Sequence, residues 1–130
     1  MNIIQFPVNR VIEINQKILL CEPGYNARFN EGLLSGALAR VDNAIVYQNL
    51  DDVFLIASKY AAAVSVAHAF SDANKRTALA LCLEYLSLND YEISVENEDL
   101  SLAMVDLVIG HLSEEHFADI LYSMWSVSQA

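Results

Sequence analysis

The chain has 130 residues, 55% of them apolar, and its 7 basic and 17 acidic residues give a net charge of −10. This length and apolar content predict one domain, residues 1–130, with a self-sufficient core. The acidic balance argues against direct binding to nucleic acid or anionic lipid, and no apolar run approaches the ~18 residues of a membrane span. No signal peptide is recognisable, so we expect a cytoplasmic protein.

Apolar residues recur at helical spacing along the chain, whereas glycine and proline are scarce. The first stripe comprises Val11, Ile14, Ile18 and Leu19. Asn30 is expected to cap a second helix, whose inner face carries Leu34, Leu38, Val41 and Ile45. Asp51 or Asp52 begins a long third helix that continues to about His68.

The second half of the chain also carries apolar residues at helical spacing. The expected elements are a helix over residues 74–88, a short connector over residues 91–95, a helix over residues 100–112 capped by Asn97, and a last helix that Ser113 opens and that continues through Trp125. Together these elements predict an all-α fold, a compact bundle of about six helices.

Tyr47 is expected to be a partly buried structural residue, with a place at a target-binding edge as the alternative.

The start of the fourth predicted helix breaks a general preference. With Asn74 as the N-cap, Lys75 and Arg76 occupy the first two helical positions. Cations are disfavoured there by about 0.3–1 kcal/mol each, because the helix dipole is positive at that end. A bound phosphate would pair with both cations and with the helix N–H groups. The sequence therefore predicts an anion site.

Two further side chains are expected to converge on the same turn. His68 ends the preceding helix, and Asp72 follows four residues later. A histidine can accept the proton of an attacking hydroxyl, and a carboxylate can hold Mg²⁺ against phosphate oxygens. Together with the cations, these groups suit phosphoryl or nucleotidyl transfer.

Cys21 and Cys82 form no Cys-x-x-Cys pair, so a zinc or redox site has no support.

Residues 68–77, His-Ala-Phe-Ser-Asp-Ala-Asn-Lys-Arg-Thr, resemble the signature of the Fic/Doc superfamily, His-x-Phe-x-Asp/Glu-Gly/Ala-Asn-Gly/Lys-Arg. Lys75 resembles the Doc branch, the "death on curing" toxins of toxin–antitoxin modules. The likeness extends to residues 31–40, 52–54 and 77–79, and it covers residues 12–120. It implies a Fic/Doc-type fold.

The resemblance also implies roles for individual residues. His68 would be the catalytic base, Asp72 the Mg²⁺ ligand, and Asn74, Lys75 and Arg76 the residues that bind the phosphates of ATP. Phe70 would anchor the loop as a buried aromatic residue. Doc-type toxins are understood to transfer the terminal phosphate of ATP to a threonine of elongation factor Tu, which stops translation. The resemblance further implies a cognate antitoxin, with a C-terminal segment that binds in an apolar groove.

Two alternatives remain open at this stage. An adenylyltransferase of the Fic type would use the same scaffold, although in that branch a glycine stands where Lys75 stands. A degenerate, inactive domain would only bind a partner. Against the family pattern, Val66 and Ala67 precede the motif histidine, where Doc-like members often carry Arg or Asn, and Ala73 replaces the commoner glycine.

Overall fold

The computed structural model describes residues 6–21, 28–71, 73–93 and 98–129. Within these ranges the chain forms six α-helices, and the only β-type pairing there is one isolated bridge. The helices are α1 (Val8–Leu20), α2 (Glu31–Tyr47), α3 (Val53–Ala67), α4 (Asn74–Leu88), α5 (Glu98–Val108) and α6 (Glu114–Ser128). The prediction of an all-α bundle of about six helices is confirmed.

Helix α3 is the centre of the bundle, because it packs against α2, α4, α5 and α6. Its fully buried apolar side chains are Ile56, Ala57, Tyr60, Ala61 and Val64. The small alanines among them let neighbouring helices approach closely. Because the C-terminal end of α3 leads directly into residues 68–73, the candidate site rests on the best-packed helix of the fold.

Helix α1 braces α4 from the side. The guanidinium of Arg10 forms two hydrogen bonds with the Glu84 carboxylate, one of them from Nε to Oε2 at 2.7 Å. These bonds lower the pKa of Glu84. Nearer the start of α4, the buried Asn15 donates from Nδ2 to the Thr77 hydroxyl at 3.0 Å. Both contacts fix how α4 lies against the rest of the bundle.

Three predicted helix starts are confirmed by their cap hydrogen bonds. Asn30 Oδ1 accepts from the Leu33 N–H at 3.0 Å and opens α2. Asp52, rather than Asp51, caps α3. Ser113 Oγ accepts from the His116 N–H at 3.1 Å and opens α6. Each of these caps satisfies a backbone N–H that has no acceptor inside its helix.

Helix α5 ends earlier than the sequence predicted, at Val108 rather than at residue 112. Gly110 has φ 84, and its N–H donates to the Leu107 carbonyl while the His111 N–H donates to the Asp106 carbonyl. This is a Schellman stop, which needs a left-handed residue that glycine supplies without strain. Asn97, the predicted cap of this helix, lies outside the described residues.

Two side chains outside the site can also be compared with their predictions. Tyr47 is 86% exposed at the end of α2, so its prediction as a partly buried residue is wrong. Helix α2 ends at Tyr47 itself, beyond the last residue of its inner face, Ile45. Cys82 is buried as expected, and its burial raises the pKa of the thiol.

Candidate functional site: the α3–α4 loop and the start of α4

The loop between α3 and α4 begins and ends with a residue in the left-handed backbone conformation. His68, the C-cap of α3, has φ 51 and ψ 39, and Ala73, directly before α4, has φ 64 and ψ 29. Non-glycine residues pay about 1–2 kcal/mol for this conformation. The fold therefore holds a strained loop between its two most closely packed helices, and strain of this kind is concentrated at functional sites.

A distant segment of the chain holds one side of the loop. The Asn30 N–H donates to the Ala69 carbonyl at 2.6 Å, and the Ser71 N–H donates to the Arg28 carbonyl at 3.1 Å. These bonds form the isolated antiparallel bridge between Phe29 and Phe70. The backbone around Phe70 is therefore tied to the residues that lead into α2. This role of residues 28–30 could not be predicted from the sequence, because no local pattern reveals a pairing across about forty residues.

Asn74 holds the other side of the loop. Its Nδ2 donates to the Phe70 carbonyl at 2.9 Å, and its Oδ1 accepts from the Phe70 N–H at 3.1 Å. Asn74 is the first residue of α4 and Ala73 is the N-cap, so the prediction of Asn74 as the N-cap is wrong. The side-chain amide of Asn74 hydrogen-bonds to the loop instead of capping the helix start. Phe70 is buried, as expected for the anchor of the loop.

The change of N-cap moves both cations by one position. Lys75 and Arg76 are the second and third residues of α4, and both are exposed. The first turn of α4 contains no acidic residue, and Ala73 provides no side-chain cap. The cations thus lie beside the positive end of the helix dipole, where an anion is favoured.

A cleft of about 280 Å³ lies at this helix start. It is lined by Ser65, His68, Ser71, Ala73, Asn74, Lys75, Arg76 and Val108. The structure therefore brings together four of the five predicted site residues, with the exposed imidazole and the two cations around one space. Ser65, Ser71 and Val108 are lining residues that the sequence analysis missed, and nothing in their spacing distinguishes them.

The predicted metal ligand is the fifth residue, and Asp72 lies outside the described residues. Among the residues that the structure describes, no three Asp, Glu, His or Cys side chains cluster as a metal site. Mg²⁺ commonly takes only one or two protein carboxylates and completes its coordination with substrate phosphate oxygens and water. One aspartate as the protein ligand is compatible with that habit, and Asp72 as the Mg²⁺ ligand stays a prediction.

The fold and the cleft define a small all-α protein with a histidine and two cations around the start of one helix. Residues 5–86 match the model of the Fic/DOC family, and the chain belongs to this family.

The chain is also similar to the protein kinase doc of Escherichia phage P1, with 29% identity over 98 residues, which cover 75% of this chain and 77% of that protein. The sequence-based identification with the Fic/Doc superfamily, and within it with the Doc branch, is confirmed. None of the helices in the described ranges has the length and apolar character that crossing a membrane requires.

Proposed function

We propose that the chain is the toxin of a toxin–antitoxin module and acts as an Mg²⁺-dependent ATP:protein phosphotransferase. The observation that carries this proposal is the single cleft shared by His68, Lys75 and Arg76 at the start of α4. The similarity to the phage P1 protein kinase doc supports phosphoryl transfer as the reaction. The proposed acceptor is a threonine hydroxyl of elongation factor Tu, and the proposed place of action is the cytoplasm.

In the proposed reaction His68 acts as the base. Its imidazole takes the proton of the threonine hydroxyl while the hydroxyl oxygen forms a bond to the terminal phosphorus of ATP. The bond from that phosphorus to the bridging oxygen breaks, and ADP leaves. The exposed imidazole at the end of α3 is open to a protein substrate, which a buried one would not be.

The cations and the helix start stabilise the charge of the transferred group. Lys75 and Arg76 lie beside the N–H groups at the start of α4, so the phosphates meet three sources of positive potential. Mg²⁺, held by Asp72, would supply further neutralisation of the phosphate oxygens. Asn74 contributes by holding the loop at Phe70, and its predicted contact with phosphate stays a prediction.

Lys75 favours phosphorylation over adenylylation. In-line attack requires the reacting phosphorus to lie against the base, so the orientation of the nucleotide decides the product. A glycine at position 75 would leave room for a second phosphate near the backbone and place the α-phosphate beside His68. The lysine side chain fills that room, so the terminal phosphate should occupy the reacting position.

Intact-mass spectrometry of elongation factor Tu after incubation with the chain, ATP and Mg²⁺ tests this proposal. We expect a gain of about 80 Da, the mass of one phosphoryl group. Lys75→Gly, measured in parallel, should shift product towards the much heavier adenylyl adduct. An adenylyl adduct from the unmodified chain would favour the adenylyltransferase alternative, and no adduct on any tested acceptor would favour the inactive partner-binding domain.

We further propose that the antitoxin binds in the groove between α2 and α3. This groove, of about 360 Å³, is lined by Arg40, Val41, Ala44, Lys59, Ala62, Ala63, Val66 and Glu114. Its small apolar side chains suit a helix of the antitoxin's C-terminal segment. Lys59 is paired with Glu114 at 3.0 Å, and Arg40 is exposed, so an acidic residue of the segment would lie opposite Arg40. The net charge of −10 favours basic flanks on that segment.

Two measurements test the partner assignments. Val66 is 48% exposed in the groove, so Val66→Glu should weaken antitoxin binding without unfolding the chain. Val46→Glu, at a 65% exposed apolar residue of α2 outside the lining, is the matched control. Gel shifts with operator DNA should show no binding by the toxin alone, since direct nucleic-acid binding is not expected of this acidic chain.

A further inference from the structure

Four aromatic side chains form a cluster far from the cleft. This aromatic cluster comprises Phe54, Tyr91, Tyr122 and Trp125. Phe54 is the second residue of α3, whereas His68 follows the last residue of that helix, so the two are separated by about 20 Å along α3. None of the four residues lines the cleft or the groove between α2 and α3.

The rings of the aromatic cluster hold one another in place. The ring centroid of the buried Phe54 lies 4.8 Å from that of Tyr91, 5.4 Å from that of Tyr122 and 6.0 Å from that of Trp125. Tyr91 and Trp125 meet edge to face at 4.9 Å. Tyr122 is 53% exposed, and Tyr91 and Trp125 are partly buried. The cluster therefore presents preorganised aromatic surface to solvent, which lowers the entropy cost of binding a partner.

The net charge of the chain is concentrated in the part that carries three of the four rings. Residues 77–130 contain ten acidic residues and no lysine or arginine, whereas residues 1–76 contain seven acidic and seven basic residues. Exposed acidic side chains flank the rings along the chain. Asp90 and Glu92 enclose Tyr91, and Asp119 precedes Tyr122 by about one helical turn. The aromatic surface thus lies in a negative potential.

We propose that the aromatic cluster is a docking surface for a basic, arginine-bearing segment of another protein. A guanidinium stacks on aromatic rings and is attracted by their faces, and the flanking carboxylates complement its charge. Tyrosine, tryptophan and arginine are also the residues that contribute most of the binding energy at protein interfaces. The inference goes beyond the reaction proposed for the cleft and does not depend on it.

The distribution of basic residues argues against a second copy of the chain as the occupant. Lys75 and Arg76 are the only two basic residues adjacent in the sequence, and both line the cleft. Arg10, Lys17 and Lys59 are each paired with a glutamate. A symmetric dimer through the aromatic cluster would bring two acidic surfaces together, which is unfavourable.

Fluorescence anisotropy with a labelled oligoarginine peptide, at physiological salt, tests the docking surface on the full chain. Tyr122→Ser removes the most exposed ring of the cluster without changing the charge, and Tyr47→Ser, at an exposed tyrosine outside the cluster, is its matched control. Asp119→Asn removes one flanking charge, and Asp106→Asn, at an exposed aspartate of α5, is the control of equal charge. Thermal unfolding shows whether each variant is folded.

We expect Tyr122→Ser to weaken peptide binding about tenfold and Asp119→Asn about threefold, with both controls within about twofold of the parent. A parent that does not bind oligoarginine would overturn the proposal. Equal losses in the cluster and control variants would also overturn it, because they would mean attraction by net charge alone. Analytical ultracentrifugation adds a further outcome. A parent dimer that Tyr122→Ser dissociates would show that a second copy occupies the cluster, contrary to the proposal.

Discussion

Helices α4 and α6 have 15 residues each, yet their first turns are built in opposite ways. Helix α6 begins with Ser113 as a hydrogen-bonding cap, followed by Glu114 and Glu115 in the first turn. Helix α4 begins after a left-handed alanine without a side-chain cap, and its first turn carries Lys75 and Arg76. The start of α6 is capped by its own side chain, whereas the start of α4 has no side-chain cap, and the proposed phosphate would take that role.

Substitutions at the two helix starts should therefore change different properties, stability at α6 and activity at α4. At α6, every local choice agrees with helix formation, so substitutions there should change stability and leave phosphoryl transfer unchanged. At α4, the local choices conflict with helix formation, and such conflicts mark functional sites.

The largest effect is expected at the base. His68→Ala should lower phosphoryl transfer by about 10²–10⁴-fold, because proton abstraction from the acceptor hydroxyl is lost. Folding should survive, since the imidazole is exposed. His116→Ala, at an exposed histidine in the first turn of α6, is the control and should keep full activity. Rates of product formation by mass spectrometry, with circular dichroism of both variants, provide the test. A folded His68→Ala variant with parental activity would remove His68 from the mechanism.

A charge exchange at the two helix starts should give opposite results. Lys75→Glu removes an unfavourable cation from the positive end of α4 and adds a favourable anion, each worth about 0.3–1 kcal/mol, so it should stabilise the fold by about 0.6–2 kcal/mol. The same change would remove the proposed phosphate contact, which is worth ~1.5–3 kcal/mol, so ATP affinity should fall roughly tenfold or more. Glu115→Lys in α6 should lose a similar amount of stability and leave ATP affinity unchanged. Urea unfolding and calorimetry measure both quantities, and a Lys75→Glu variant that binds ATP normally would contradict the anion site.

The contrast between the two helix starts also shows what a sequence reveals. The helices and the caps Asn30, Asp52 and Ser113 were predictable, because apolar spacing and side-chain caps are local features. The same rule failed at Asn74, where a good capping residue serves the loop at Phe70 instead. The two side-chain bonds to Phe70, four residues earlier, take precedence over helix capping there, and a single sequence contains no signal of that choice.

The residues of the candidate site could be predicted from the sequence, whereas the contacts that position them could not. The spacing of His68, Lys75 and Arg76 indicated a shared cleft, which the structure contains. The pairing of residues 28–30 with the loop and the face of α5 beside the cations arise from packing between distant segments. The motif thus locates the candidate reacting groups, whereas the cavity walls that decide which ligand binds are formed by packing between distant segments.

The cap of α6 should give a moderate and purely structural effect. Ser113→Ala removes the hydrogen bond to the His116 N–H and should cost about 1 kcal/mol of stability. Ser113→Asp, which retains a cap acceptor, should restore most of it. Phosphoryl transfer by both variants should equal that of the parent. Chemical denaturation provides the measurement, and a loss of transfer in folded Ser113→Ala would contradict the separation of the two helix starts.

The smallest effect is expected at Ala73, where the strain of the loop can be relieved. Alanine at φ 64 pays about 1–2 kcal/mol that glycine does not, while glycine loses roughly 0.4–1 kcal/mol more on folding through its unfolded-state entropy. The balance predicts that Ala73→Gly stabilises the fold by between about 0 and 1.6 kcal/mol, with the same loop backbone and an unchanged KM for ATP. Ala39→Gly, at an exposed position inside α2, isolates the entropy cost and should destabilise by about 1 kcal/mol. Opposite signs in the two unfolding curves would show that the strain lies in the left-handed backbone before α4, whereas equal losses would mean that the loop holds Ala73 without strain.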